Sequence, residues 1–170
     1  MTMPIADKKN QWLAMQVEVE FPTPESLTGR AIYQTDMVER TVKPIDSLIA
    51  VSSDKRNVEL YLADFHRLTI MFALQQAKRW ASASDHDFVV EYLTQIILSP
   101  EHELYVGFES GEPVGAAIVT QTETQLLISD LVYQGEVELP AVSPIVTALV
   151  AMLDDKSHEV LIELPSRDLA

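Results

Sequence analysis

The chain has no cysteine among its 170 residues, which excludes disulfides, thiolate nucleophiles and cysteine-ligated zinc. It contains no run of about 18 apolar residues, so no membrane-spanning helix is expected. Positive charge is scarce. Twelve Lys and Arg stand against 26 Asp and Glu, for a formal net charge of −14. A nucleic-acid backbone or an anionic membrane would repel such a chain, and neither is expected as a partner. There is no Walker loop, no Gly-x-Gly-x-x-Gly turn and no Gly-x-Ser-x-Gly elbow. His66, His86, His102 and His158 show no metal-ligand spacing, so they are read as surface or boundary residues and no metal is expected. Asp85-His86-Asp87 is better explained by helix capping than by a metal. The start, MTMPIADKKNQW, lacks an apolar segment followed by a small-residue cleavage site, which gives the expectation of a cytoplasmic protein without a signal peptide.

What is present suits a globular core: 47% of residues are apolar. The length predicts one domain, or one domain with an extension. Residues 1–10 read as a tail. Val17, Val19 and Phe21 alternate with Glu18 and Glu20, which predicts a half-exposed strand. Thr23-Pro24-Glu25 predicts a helix start, with Thr as N-cap and Pro at the first position, running to about Thr35. Pro44 opens a short helix through Val51, and Ser52-Ser53-Asp54 caps another. There Val58, Tyr61, Leu62, Phe65, Leu68 and Phe72 recur at helical spacing, and the stripe Val58, Tyr61, Leu62, Phe65 is expected to be buried, either on the sheet or between two subunits. The segment LTIMFAL that follows fits a helix or a strand. A further helix starts at Ser84, with Phe88, Val89, Tyr92, Leu93, Ile96 and Ile97 on one face, and ends at Ser99-Pro100.

Residues 103–133 carry the plainest signal. Three apolar runs, at 103–108, 113–121 and 125–133, are separated by hairpin-length turns, which predicts an antiparallel meander. Ser143-Pro144 then reads as an N-cap and first helical position, with Ile145, Val146, Leu149, Val150 and Leu153 on the helix face. HEVLIEL at 158–164 reads as a strand and 165–170 as a tail. The expected class is α/β of the α+β type: a mixed, mainly antiparallel sheet flanked by helices, with a helical N-terminal extension over residues 1–78 packed on a core over 79–170.

Helix, three antiparallel strands, helix, strand is also the order of the GNAT superfamily of N-acetyltransferases. Arg79-Trp80-Ala81-Ser82-Ala83-Ser84-Asp85 resembles that family's opening, where its first strand passes into its first helix. Leu104–Ala117 resembles its second and third strands, and Ile128–Tyr133 its fourth. The resemblance covers about half the chain, residues 79–164. It implies acetyl-CoA or another acyl-CoA as cofactor, with the pantetheine arm lying where the fourth strand splays from the fifth. It implies Asp130 as the general base and Tyr133 as a proton donor. It also implies a cofactor site formed by Leu131, Val132 and Tyr133 with Ala141, Val142 and Ser143.

One stretch departs from the family. After its fourth strand the family has an Arg- and Gly-bearing loop whose backbone N–H groups close on pyrophosphate at a helix N-terminus. Here the stretch is Glu138-Leu139-Pro140-Ala141-Val142-Ser143, with a carboxylate in place of the Arg, no glycine, and a proline with no N–H to donate. The chain also stops soon after the fifth strand, where the family continues with a helix and two strands. Residues 11–78 are expected to cover that sheet edge. Three functions therefore stand: an acyl-CoA-dependent N-acyltransferase with an atypical cofactor loop, a non-catalytic module of the same fold binding a small molecule or a protein, and a structural subunit forming a homodimer.

Overall fold

The computed structural model describes residues 4–46, 57–153 and 157–169. Among these residues, six strands form one sheet: β1 (Arg40–Pro44), β2 (Glu59–Leu62), β3 (His102–Glu109), β4 (Glu112–Gln121), β5 (Gln125–Tyr133) and β6 (Glu159–Pro165). Their spatial order is β1-β6-β5-β4-β3-β2, and only β5 and β6 run parallel. Among the described residues, five α-helices flank the sheet: α1 (Pro4–Ala14), α2 (Pro24–Met37), α3 (His66–Ala77), α4 (Ala83–Leu93) and α5 (Leu139–Leu153). The mixed, mainly antiparallel α+β architecture expected from the sequence is therefore the one observed. Among the described residues, no helix is long and apolar enough to cross a membrane.

The central strands are apolar on both faces because both faces are covered. Leu104, Val106, Ala116, Ile118 and Val132 pack with Phe72 of α3, Val89 and Tyr92 of α4 and Tyr33 of α2. Ala117, Val119, Ile128 and Leu131, alternating with them, pack against Val142, Ile145, Val146 and Leu149 of α5. The predicted meander is present at its predicted positions, with each hairpin pairing antiparallel.

Several local expectations are corrected. The supposed tail is helix α1, because Ile5, Ala6, Lys9 and Leu13 share one face and bury it. The strand expected at Val17–Phe21 is absent. Met15–Val17 form a short 3₁₀ turn, and Val19 and Phe21 are exposed, since β1 and β2 hold the two sheet edges. The helix expected over 58–66 is instead edge strand β2, and helix α3 begins only at His66. Val58 and Leu60 face α5 while Tyr61 packs edge-on to Phe108 from the other face, so the true period there is two. Val58 is buried as expected, but in the single chain Tyr61, Leu62 and Phe65 are 49%, 40% and 53% exposed, so the stripe as a whole is not buried on the sheet.

Helix α4 begins after N-cap Ser82 and stops at Leu93, short of Ser99-Pro100. Residues 79–82 thus join two helices and are not a passage from strand to helix. Helix α5 begins at Leu139, and Pro144 lies inside it. The carbonyl that Pro144 cannot bond, that of Pro140, accepts instead from Ser143 Oγ at 3.3 Å. The expected helix after Pro44 and the cap at Ser52-Ser53-Asp54 fall largely outside the described residues.

The Thr23 cap of α2 is observed, accepting from Ser26 N at 3.1 Å. Helix α2 then crosses α4 at Gly29, where a Cβ would stand 1.9 Å from the Phe88 carbonyl oxygen. The backbones touch there only because the side chain is absent. Gly29→Ala should destabilise the fold by about 1–3 kcal/mol, even though alanine is the better helix former. Urea unfolding followed by circular dichroism measures this, and an unchanged midpoint would contradict the close approach.

Candidate functional site

Strands β5 and β6 pair in parallel from Gln125↔Glu159 to Ile128↔Ile162 and then part. The cause lies in β5. Its register against β4 shifts between Ala116 and Ile118, and Asp130 takes a left-handed backbone conformation, φ 52°. Such a bulge bends the strand and re-aims its side chains. Asp130 is turned onto the face covered by α1–α4, opposite the α5 face, where Leu131 and Tyr133 pack.

Across the gap stands Glu163 of β6, and Lys9 of α1 reaches between the two carboxylates. Lys9 Nζ lies 2.9 Å from Asp130 Oδ2 and 2.9 Å from Glu163 Oε1, and all three side chains are at most 4% exposed. Asp130 is saturated with donors, taking further bonds from Tyr33 Oη at 2.9 Å and Ser129 Oγ at 3.0 Å. Its backbone carbonyl accepts from Gln76 Nε2 at 2.5 Å.

Burial alone would raise the Asp130 pKa, but Lys9, with Arg79 and the Tyr33 hydroxyl, outweighs it and holds the carboxyl below its ordinary range. Burial likewise works against the Lys9 charge, and the two carboxylates override it and raise the pKa. Burial pushes the Glu163 carboxyl up, and with the neighbouring Asp130 charge it outweighs the lowering effect of Lys9 and Arg40. The Tyr33 hydroxyl is driven well up by burial and by the Asp130 charge. A carboxylate held ionised by a lysine and two hydroxyls is a poor proton acceptor for anything else.

The residues named from the sequence do not converge. Asp130 and Tyr133 lie on opposite faces of the sheet, and Tyr133 Oη donates to Glu109 at 2.6 Å. Leu131, Tyr133 and Val142 belong to the α5 core, while Val132 belongs to the opposite one. Ala141 and Val142 lie in the first turn of α5. Both their N–H groups bond the Glu138 carbonyl at 3.0 Å, and the Leu139 N–H bonds Asp168 Oδ2 at 3.0 Å. Glu138 itself pairs with Arg167. The segment 166–169, expected to be a tail, is a 3₁₀ turn that closes on the start of α5.

Lys9, Tyr33 and Glu163 were not singled out from the sequence. Lys9 lies in the stretch read as a tail, and the only signal for it was its place on the Ile5, Ala6, Leu13 face. His102 was read as a boundary residue, yet it is buried, stacked 4.4 Å from Trp12 and bonded through Nδ1 to Thr120 Oγ1. Burial pushes its pKa down to about 4. Beside the triad opens a cleft of about 680 Å³ between α1, α2, β1 and β6, with Glu163, Tyr33 and Tyr92 on its floor.

Replacing Lys9 with methionine would leave two carboxylates buried without a cation. Lys9→Met should cost about 3–5 kcal/mol of unfolding free energy at neutral pH. The sign of the pH dependence follows. Without Lys9 both folded carboxyl pKa values rise above their unfolded values, so the variant gains stability as pH falls through those raised values. In the parent, Asp130 is depressed and its contribution is lost as pH falls through its folded pKa. Urea unfolding at neutral and mildly acidic pH checks both, and a deficit that did not narrow on acidification would contradict the buried triad.

Comparison with known proteins bears on the architecture only. No family model and no curated protein matches the chain. Among solved structures it is similar to a protein from Staphylococcus epidermidis ATCC 12228, described as a functionally unknown conserved protein. The two share 18% identity at a TM-score of 0.50 over 74% of this chain. The match takes in 49% of the neighbour, so this chain spans about half that protein's length.

Proposed function

We propose that this chain is a non-catalytic, ligand-binding module built on a GNAT-like sheet, and that it does not use an acyl-CoA. The likeness to that family is supported by the parting of β5 from β6 at the bulge, the place where the resemblance puts the pantetheine arm. It is also supported by β1, which pairs antiparallel with β6 from Arg40↔Pro165 to Pro44↔Leu161. There the N-terminal segment supplies a strand on the side where the family continues with more chain.

The observation that carries the non-catalytic reading is the start of α5. An acyl-CoA pyrophosphate needs free N–H groups at that helix N-terminus. The Leu139 N–H is held by the Asp168 carboxylate, Pro140 has none, and Ala141 and Val142 bond the Glu138 carbonyl. The Glu138 and Asp168 carboxylates lie where a phosphate would need cations, and Arg167 is occupied by Glu138. The parting of the strands is bridged by Lys9, and Asp130, the expected base, is the ion-pair partner of that lysine. Each of these features opposes a step that acyl transfer requires.

Calorimetric titration of the full chain with acetyl-CoA and CoA tests the reading. Losing one charge-assisted partner costs about 1.5–3 kcal/mol, and the carboxylates add repulsion. Acetyl-CoA is therefore expected to bind no more tightly than about 1 mM, which corresponds to about 4 kcal/mol. Asp168→Ala, which frees the Leu139 N–H, should bind CoA measurably better than the parent. Micromolar binding by the unmodified chain would overturn the proposal and restore the acyltransferase.

A further inference from the structure

The two edges of the sheet differ in chemistry. β1 carries Arg40, Lys43 and Pro44, charges and an imino acid that discourage a further strand. β2 reads Glu-Leu-Tyr-Leu, with neither lysine nor proline, and among the described residues no strand pairs with its outer side. The register against β3 fixes which groups are free. The Ala63 N–H donates to the Leu104 carbonyl at 2.8 Å, so Ala63, Tyr61 and Glu59 turn their backbone groups toward β3. Leu60 and Leu62 alternate with them and turn theirs outward. The N–H and C=O groups of both leucines therefore stand in a row along the edge. β2 is four residues long, about 13 Å of edge, which suits a short peptide and not an open-ended sheet.

Both faces beside this edge offer contacts to side chains. On the α5 face a groove of about 350 Å³ runs between β2 and α5, with Asn57, Val58 and Leu60 on one side and Thr147, Ala148, Ala151 and Met152 on the other. Leu62 shares the Leu60 face by strand alternation and is exposed. On the opposite face the exposed Tyr61 stands edge-on to Phe108. Residues 57–65 contain Glu59 and Asp64, both exposed, at the two ends of the edge, and no Lys or Arg. A second copy pairing here antiparallel would bring its own Glu59 and Asp64 to the same edge, in a chain of net charge −14. A basic partner meets attraction there instead.

We propose that the outer edge of β2 binds an extended peptide segment of another protein, with apolar residues at alternate positions and lysine or arginine at its ends. The peptide adds a strand to the sheet. Its backbone bonds the N–H and C=O groups of Leu60 and Leu62. The side chains of the two residues so paired enter the α5 groove, the one between them lies on Tyr61, and the end cations meet Glu59 and Asp64. β3 and β4 separate this edge from β5, so the proposal holds whether or not the chain takes an acyl-CoA.

The probe is the hexapeptide acetyl-Lys-Thr-Val-Tyr-Val-Lys-amide, titrated into the full nitrogen-labelled chain and followed by NMR. It should bind one-to-one with a dissociation constant below about 1 mM, and the amide signals of residues 58–65 should move most. Methylating the backbone nitrogens of both valines, which face β2 in the paired strand, should weaken binding at least about tenfold. Methylating those of the threonine and tyrosine, which face away, should change it less than about threefold. Leu62→Pro removes one outward N–H and leaves the β2–β3 ladder intact, so it should abolish binding in a chain that melts as the parent does. Ala151→Trp, at an exposed position of α5, should fill the groove and weaken the peptide at least about tenfold. Should Leu62→Pro melt early, Ala151→Trp and the two methylated peptides decide alone. No saturable binding at millimolar peptide overturns the inference. Equal losses from the two methylated peptides do so too, because strand addition requires the difference. Light scattering tests the other occupant: a parent dimer that Leu62→Pro converts to monomer would give the edge to a second copy and refute the peptide.

Discussion

The ion pair of Lys9 with Asp130 and Glu163 is the interaction on which the arrangement of this protein depends. It joins the first helix to two strands that have just parted, across separations of 121 and 154 residues. A buried ammonium is costly to desolvate, and so are two carboxylates. The cluster is tolerable only because each charge meets the others and the Tyr33 and Ser129 hydroxyls complete the shell of Asp130. Such a cluster tolerates little displacement. It therefore locks α1 onto the sheet at one register and keeps the bulge of β5 turned toward the helices.

From that lock follows the character of the site. The wedge between β5 and β6 is filled by Lys9, a side chain of the protein itself. At the other end of the wedge, the start of α5 is closed by Asp168, with Arg167 holding Glu138 beside it. Both ends of the chain thus contribute the charges that complete its central features. The space left open lies to one side, over β1 and β6, where Asp7, Arg40 and Glu163 are among the lining residues.

Much of the fold was legible because its signals are local. The meander of β3, β4 and β5 could be read from apolar runs and hairpin-length turns, and the α2 cap from Thr23-Pro24, since each depends on residues a few positions apart. Asp130 was singled out from the sequence for its place in β5. Its role was not, because the partners that neutralise it come from α1 and α2. The edge strand β2 was misread because Val58, Tyr61, Leu62 and Phe65 satisfy a helical period by coincidence. Only the α5 surface under Val58 and Leu60 selects the strand. Pro144 misled the boundary of α5 because a proline inside a helix is tolerated once its lost carbonyl partner is replaced, and Ser143 replaces it.

The sequence by itself determined the class of the fold, the three-stranded meander, and the lack of any glycine or basic residue from Glu138 to Ser143. These are statements about periodicity, turn chemistry and the charge of single residues, which need no neighbours to be true. Only the tertiary structure decided that the first ten residues are a core helix, that Lys9 sits between two carboxylates, that β1 joins β6, and that Arg40 and Glu163 face one cleft. Each of those brings together groups far apart in the chain. Their energy comes from burial and charge compensation, which no local stretch of sequence carries.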